Sequence, residues 1–176
     1  MAGNLEFINS FEITGSTSAF SCDNVFSDKY DVYNIIASGI CLVGTTQTNL
    51  SMRLIDNTGS VISGANDYAF ASLGMSSNTT FSEYKDGSGN VILNAFGKDD
   101  GIEGSSSSIY VHNPNDSSSY TFVQWQAGGD NGTALEGYKG IGVYPTAETI
   151  RGFQLLETAT RPFDEGKISV YGLASN

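Results

Sequence analysis

Turn-forming residues recur every 10 to 20 positions along the 176-residue chain, and apolar and polar residues alternate between them. A period of two sets successive side chains on opposite faces of an extended segment, which marks strands rather than helices. Leu50-Ser51-Met52-Arg53-Leu54-Ile55 alternates, runs into Asp56-Asn57-Thr58-Gly59, and is followed by a return at Val61-Ile62. That pattern predicts a hairpin with Gly59 where the turn wants positive φ. A second hairpin is expected from Phe81-Ser82-Glu83-Tyr84 to Val91-Ile92-Leu93 through Asp86-Gly87-Ser88-Gly89-Asn90. A third joins Ile109-Tyr110-Val111-His112 to Tyr120-Thr121-Phe122-Val123-Gln124-Trp125 through Asn113-Pro114-Asn115-Asp116. Pro114 has no N–H for a ladder and suits that loop.

Further strands are expected at residues 5–8, 11–14, 30–37, 68–72, 138–144, 149–155 and 167–173. Residues 148–157 are long enough for a helix, but Thr149, Ile150, Gly152 and Phe153 oppose one. The 21 glycines and the aromatic content of 11% fit many short strands joined by tight polar loops. About ten antiparallel strands without helices mean a two-sheet sandwich or a barrel, and a jelly-roll-like sandwich is the favoured form. Strand content above 35% and helix below 10% follow, against a globular average of roughly 30–35% helix. No repeat, linker or composition shift divides the chain, so residues 1–176 read as a single β-sandwich domain. A domain of this length buries about 70% of its unfolded surface and needs neither metal nor disulfide to hold together.

The net charge of −11, with eight lysines and arginines, disfavours nucleic acid and anionic membrane as partners. No run approaches the roughly 18 apolar residues of a membrane span. The opening Met1-Ala2-Gly3-Asn4-Leu5-Glu6-Phe7 lacks the basic and apolar segments of a secretory signal, so no signal peptide is expected. Cys22 and Cys41 are too far apart for a CxxC site and too few for a disulfide framework. They are expected as free, partly buried thiols.

Chemistry is sparse. The single histidine, His112, has no carboxylate nearby in sequence to orient it for a catalytic triad and reads as a rim or loop-supporting side chain. One histidine and two distant cysteines do not make a standard zinc site. Neither a phosphate-binding loop nor a strand-anchored G-x-G-x-x-G is present. Asp99-Asp100-Gly101-Ile102-Glu103 is an acidic cluster without the twelve-residue calcium pattern, and it reads as a solvated loop with calcium as the alternative. Two carboxylates can hydrolyse glycosides, but 19 acidic residues bring some pair together by number alone. The expectation is a non-enzymatic protein with no catalytic residue, metal ligand or cofactor.

The aromatic residues say more. Trp125, the only tryptophan, shares a face with Thr121 and Val123, opposite Tyr120, Phe122, Gln124 and Gln126. One placement is a core or core-edge tryptophan. The other is a binding surface of Trp125, Gln124, Gln126 and Tyr120 that stacks on a sugar or anchors a subunit contact.

Several segments resemble small structural proteins of tailed bacteriophages, marine ones especially. They are Met1-Ala2-Gly3-Asn4-Leu5-Glu6-Phe7-Ile8, Phe26-Ser27-Asp28-Lys29-Tyr30-Asp31-Val32-Tyr33 and Asn115-Asp116-Ser117-Ser118-Ser119-Tyr120-Thr121-Phe122-Val123. Thr149-Ile150-Arg151-Gly152-Phe153 and the ending Gly166-Lys167-Ile168-Ser169-Val170-Tyr171-Gly172-Leu173 are similar to the last strands of many such proteins. In that ending, Ile168 and Val170 face one side, and Gly172 lets the chain lie close to a neighbour. The resemblance is structural and transfers no active residue. It implies a virion surface component assembled in the host cytoplasm: a capsid decoration protein, or a head- or tail-attached fibre or knob. Its implied partners are capsid or tail proteins and further copies of itself. The alternative it implies is a carbohydrate-recognising receptor-binding module of a tail fibre, with a host surface glycan as ligand.

Overall fold

The computed structural model describes residues 4–15, 17–44, 49–78, 81–96, 104–130, 134–159 and 161–174. Twelve strands and no helix occur among them. In chain order they are β1 (Leu5–Thr14), β2 (Ala19–Cys22), β3 (Val32–Leu42), β4 (Asn49–Asp56), β5 (Tyr68–Ser76) and β6 (Ser82–Ser88). The second half supplies β7 (Val91–Phe96), β8 (Ser105–His112), β9 (Thr121–Asp130), β10 (Leu135–Tyr144), β11 (Ile150–Glu157) and β12 (Phe163–Leu173). They form an eight-stranded sheet, β1-β12-β3-β8-β9-β10-β5-β6, and a four-stranded sheet, β2-β11-β4-β7. Every pairing is antiparallel.

The strand order is that of a jelly roll with two additions. Without β5, β6, β9 and β10, the pairs nest as β1 with β12, β2 with β11, β3 with β8 and β4 with β7, alternating between the sheets. That is one long hairpin rolled over itself into a double sheet. The pairs β5–β6 and β9–β10 are inserted after β4 and β8 and extend only the larger sheet. The expected sandwich is therefore present, with two more strands than expected.

Period-two patterning explains which side each added strand buries. Along β9 buried and exposed residues alternate strictly from Thr121 to Ala127, and β5 does the same from Tyr68 to Met75. In β3, by contrast, Tyr33, Asn34 and Ile35 are buried in succession, as are Ile40, Cys41 and Leu42. The core between the sheets takes Tyr33, Ile35, Leu50, Met52, Leu54, Tyr68, Leu93, Trp125, Phe153 and Phe163. Burying one such large apolar side chain is worth about 1.5–3 kcal/mol. A surface ion pair contributes about 0.2–1 kcal/mol, so the core outweighs the ion pairs by a wide margin.

Two tyrosines resolve the polar cost of loops that cross the core edge. The Tyr33 hydroxyl accepts from Ser27 N and donates to Ser27 O, both at 2.7 Å. The Tyr68 hydroxyl accepts from Leu54 N at 2.8 Å and donates to Ile62 O at 3.1 Å. The last strand behaves as its pattern predicts: Ile168 and Val170 are buried, and a Cβ on Gly172 would stand 2.4 Å from the Tyr30 ring. Cys22 and Cys41 are buried and not joined in a disulfide, as expected.

Three sequence readings need correction. Residues 5–8 and 11–14 belong to one strand, β1, whose register shifts between Phe7 and Asn9. The expected return at Val61-Ile62 is a single bridge, Val61 to Ile55, around a turn with Gly59 at φ 92°. The second hairpin does not exist. Gly87 and Ser88 continue β6 along β5, while β7 pairs with β4 in the other sheet. The switch falls at Gly89, where a Cβ would stand 2.8 Å from Ser63 O and only glycine fits without a shift. The third hairpin, β8 to β9, is formed as expected.

Candidate functional site

Alternation on the added strands leaves one face of the larger sheet uncovered, and side chains there line up in rows across it. One row runs Ser108, Gln126, Lys139, Leu73 and Glu83 from β8 to β6. The next runs Tyr110, Gln124, Ile141, Ala71 and Lys85. Five strands at about 4.8 Å spacing make these rows about 19 Å long. Together they line a trough of about 1120 Å³ on the outer face. Tyr110, Leu73 and Ile141 stay 42%, 42% and 48% exposed, so the floor presents apolar surface to solvent. Gln124 and Gln126 are also exposed and bring amide donors and acceptors. The result is a mixed surface: apolar and aromatic patches with amides and ammoniums between them.

The charge distribution singles out the trough. Lys29 is held by Glu6 and Lys167 by Glu12, each at 2.7 Å, and Arg151 is paired with Asp23. The Lys29 ammonium and the Tyr30 hydroxyl hold the Glu6 carboxyl below the usual range, and Arg151 does the same for Asp23. Arg53 donates to Gly89 O at 3.0 Å. Lys85 and Lys139 form no ion pair or hydrogen bond among the described residues, and both line the trough. Glu83 is the carboxylate that shares it.

The structure splits the surface that was expected around Trp125. Gln124 and Gln126 line the trough, and Tyr120 is exposed just before β9 but does not line it. Trp125 is 2% exposed and points the other way, so it is a core residue and no stacking platform. Its ring lies over Gly140, where a Cβ would stand 2.1 Å from Cζ2. The reason is parity: one strand cannot show adjacent residues to the same face. His112 ends β8, half-buried, without an ion pair among the described residues. The cluster Asp99-Asp100-Gly101-Ile102-Glu103 lies outside the described residues. No group of three or more His, Cys, Asp or Glu side chains able to hold a metal occurs among the described residues.

Sequence reading missed Tyr110, Lys139, Ile141, Leu73, Glu83 and Lys85 as members of one surface. A partial signal was available: Tyr138-Lys139-Gly140-Ile141 alternates, and its glycine-bearing face must be the crowded one. What no single strand carries is the order β8-β9-β10-β5-β6 that sets these residues side by side.

No protein-family model matches the chain, and no curated protein matches it in sequence. Among solved structures, it is similar to the CBM2 module of the evolved Dit of Lactobacillus casei BL23 phage J-1. The identity is 8% and the TM-score 0.27, over 90% of this chain and 69% of that one. A second similarity is to the infectious bursal disease virus Gt strain structure, at 9% identity and a TM-score of 0.18. It covers 99% of this chain and 42% of that one. The fold assignment rests on the strand order itself.

Proposed function

We propose that the chain is a non-enzymatic binding module of a virion surface protein, and that it holds a polymeric partner in the trough of its larger sheet. The observation that carries the reading is the trough, built on the four strands added to the jelly roll and on the neighbouring β8, and lined by solvent-exposed Tyr110, Gln124, Gln126 and Ile141. Burial of these side chains by a ligand costs the fold nothing, because their strands are anchored from the opposite face. A long open trough suits an extended polymer better than a small molecule, which seeks an enclosing pocket. The virion setting, as a capsid decoration or head- or tail-attached protein that also self-associates, comes from the sequence resemblance. Repeated copies on a particle make weak single contacts sufficient through avidity.

The test compares the native protein with a Tyr110→Ala, Gln124→Ala, Gln126→Ala triple variant. Both are titrated onto phage particles lacking the protein and onto a glycan panel. Saturable binding to either target, weakened tenfold or more in the variant, is expected. Binding that the variant retains in full overturns the trough as the site. Release of reducing sugar that stops on changing a pair of acids overturns the non-enzymatic reading.

A further inference from the structure

We infer that the trough takes an acidic polysaccharide, with Lys85 and Lys139 reading its anionic groups; this rests on the trough being the binding face. Cations are scarce in this protein. The whole chain has eight lysines and arginines against 19 acids. Those with an acidic partner sit elsewhere, while the two cations left without a partner among the described residues share one trough. Glu83 is the carboxylate that lines the trough beside them, and neither lysine is paired with it.

Their placement defines the ligand. Lys139 on β10 and Lys85 on β6 flank β5, one row apart, through Lys139 opposite Leu73 and Lys85 opposite Ala71. Two strand spacings and one two-residue offset along the strand put their Cα atoms about 12 Å apart. Two ammoniums so spaced can each meet a different charge along a polymer. Beside Lys139, on β9 and β8, lie Gln124, Gln126 and Tyr110, with hydroxyl and amide groups that match sugar hydroxyls, and an aromatic face that a sugar ring can cover. Nucleic acid is the poorer fit. It carries one charge per about 1.7 Å of duplex and calls for many more cations than two. The protein's overall negative charge does not prevent binding at physiological salt, because fields are screened beyond about 8 Å while the two lysines touch the ligand directly.

The experiment uses matched polymers with the full chain: dextran sulfate against dextran, and polygalacturonate against its carboxyl-reduced form. Affinity electrophoresis reads retardation for the native protein, a Lys85→Gln, Lys139→Gln double variant, and a Lys29→Gln control. The expected result is retardation by at least one charged polymer and not by its neutral partner. The double variant should bind at least tenfold more weakly, and the control should bind as the native protein does. Sulfate and carboxylate arms then separate the two sources of negative charge. Equal retardation by charged and neutral polymers, unchanged in the double variant, overturns the anionic assignment and leaves the trough reading intact. Binding only to particle proteins, lost on Tyr110→Ala, overturns it in favour of a protein partner. No loss of any binding in the Tyr110→Ala, Gln124→Ala, Gln126→Ala variant overturns the trough reading itself.

Discussion

The inner jelly-roll strands β3 and β4 and the added strands β5, β6 and β9 use the same amino-acid repertoire in different ways. In the roll, β3 buries consecutive residues, and β4 buries Leu50, Ser51 and Met52 in a row. In the addition, β5 and β9 alternate strictly, and β6 is exposed along almost its whole length. A strand buried on both sides has no surface left to vary. A strand buried on one side holds its place with half of its residues and leaves the other half open to solvent. The difference teaches that core packing and the exposed surface are separable here within single strands, at positions one residue apart.

The largest effect expected from that comparison is at Trp125. Trp125→Ala removes a fully buried ring from the inner face of β9 and should lower stability by about 3–5 kcal/mol, read by chemical denaturation. A loss near that of a surface substitution would mean that β9 is not anchored through this ring. Next comes Gly140→Ala, whose methyl would collide with the same indole and should cost about 1–3 kcal/mol by overpacking. Combining it with Trp125→Phe should recover part of the loss, since the two positions are in contact and their effects are coupled. Strict additivity would contradict the contact.

Smaller again is an alkaline effect in the roll. Burial pushes the Cys22 thiol up to about 12 from its ordinary 9.0. The unfolded chain therefore releases this proton first, so folding stability is full below about pH 9 and falls as pH rises toward 12. The slope from one such group is at most about 1.4 kcal/mol per pH unit. Denaturation midpoints between pH 8 and 11 should fall in the native protein and fall less steeply in Cys22→Ala. Equal slopes would show that other groups, such as the buried Tyr68 phenol, which is raised by the same cause, dominate. The smallest stability effect belongs to the trough. Gln124→Ala and Tyr110→Ala should each stay within about 0.5 kcal/mol of the native protein while weakening ligand binding.

Much of the roll was legible in the sequence because its signals are local. The β8–β9 hairpin, the buried Ile168 and Val170, and the glycine that admits the Tyr30 ring all follow from neighbouring residues. The inward face of Trp125 was legible too, through Thr121 and Val123. The false hairpin between β6 and β7 shows where local reading fails. Asp86-Gly87-Ser88-Gly89-Asn90 has turn composition, yet whether Gly87 turns or stays extended is settled by pairing with Ala69, an interaction invisible in the segment itself. The trough was hidden for the same reason: its residues come from five strands, with Leu73 and Lys139 adjacent in space and far apart in sequence.

The central claim is that the outer face of β8 and the added strands is the ligand surface. Backbone amide NMR shifts recorded while titrating short dextran sulfate oligomers, with dextran oligomers and particle fragments as parallel ligands, test it most directly. Shifts concentrated at Tyr110, Gln124, Gln126, Lys139 and Ile141, with the β2-β11-β4-β7 sheet unmoved, are the predicted result. A ligand whose shifts cluster on that smaller sheet, or around Leu5, Phe7 and Leu173 at the far edge, would contradict the account.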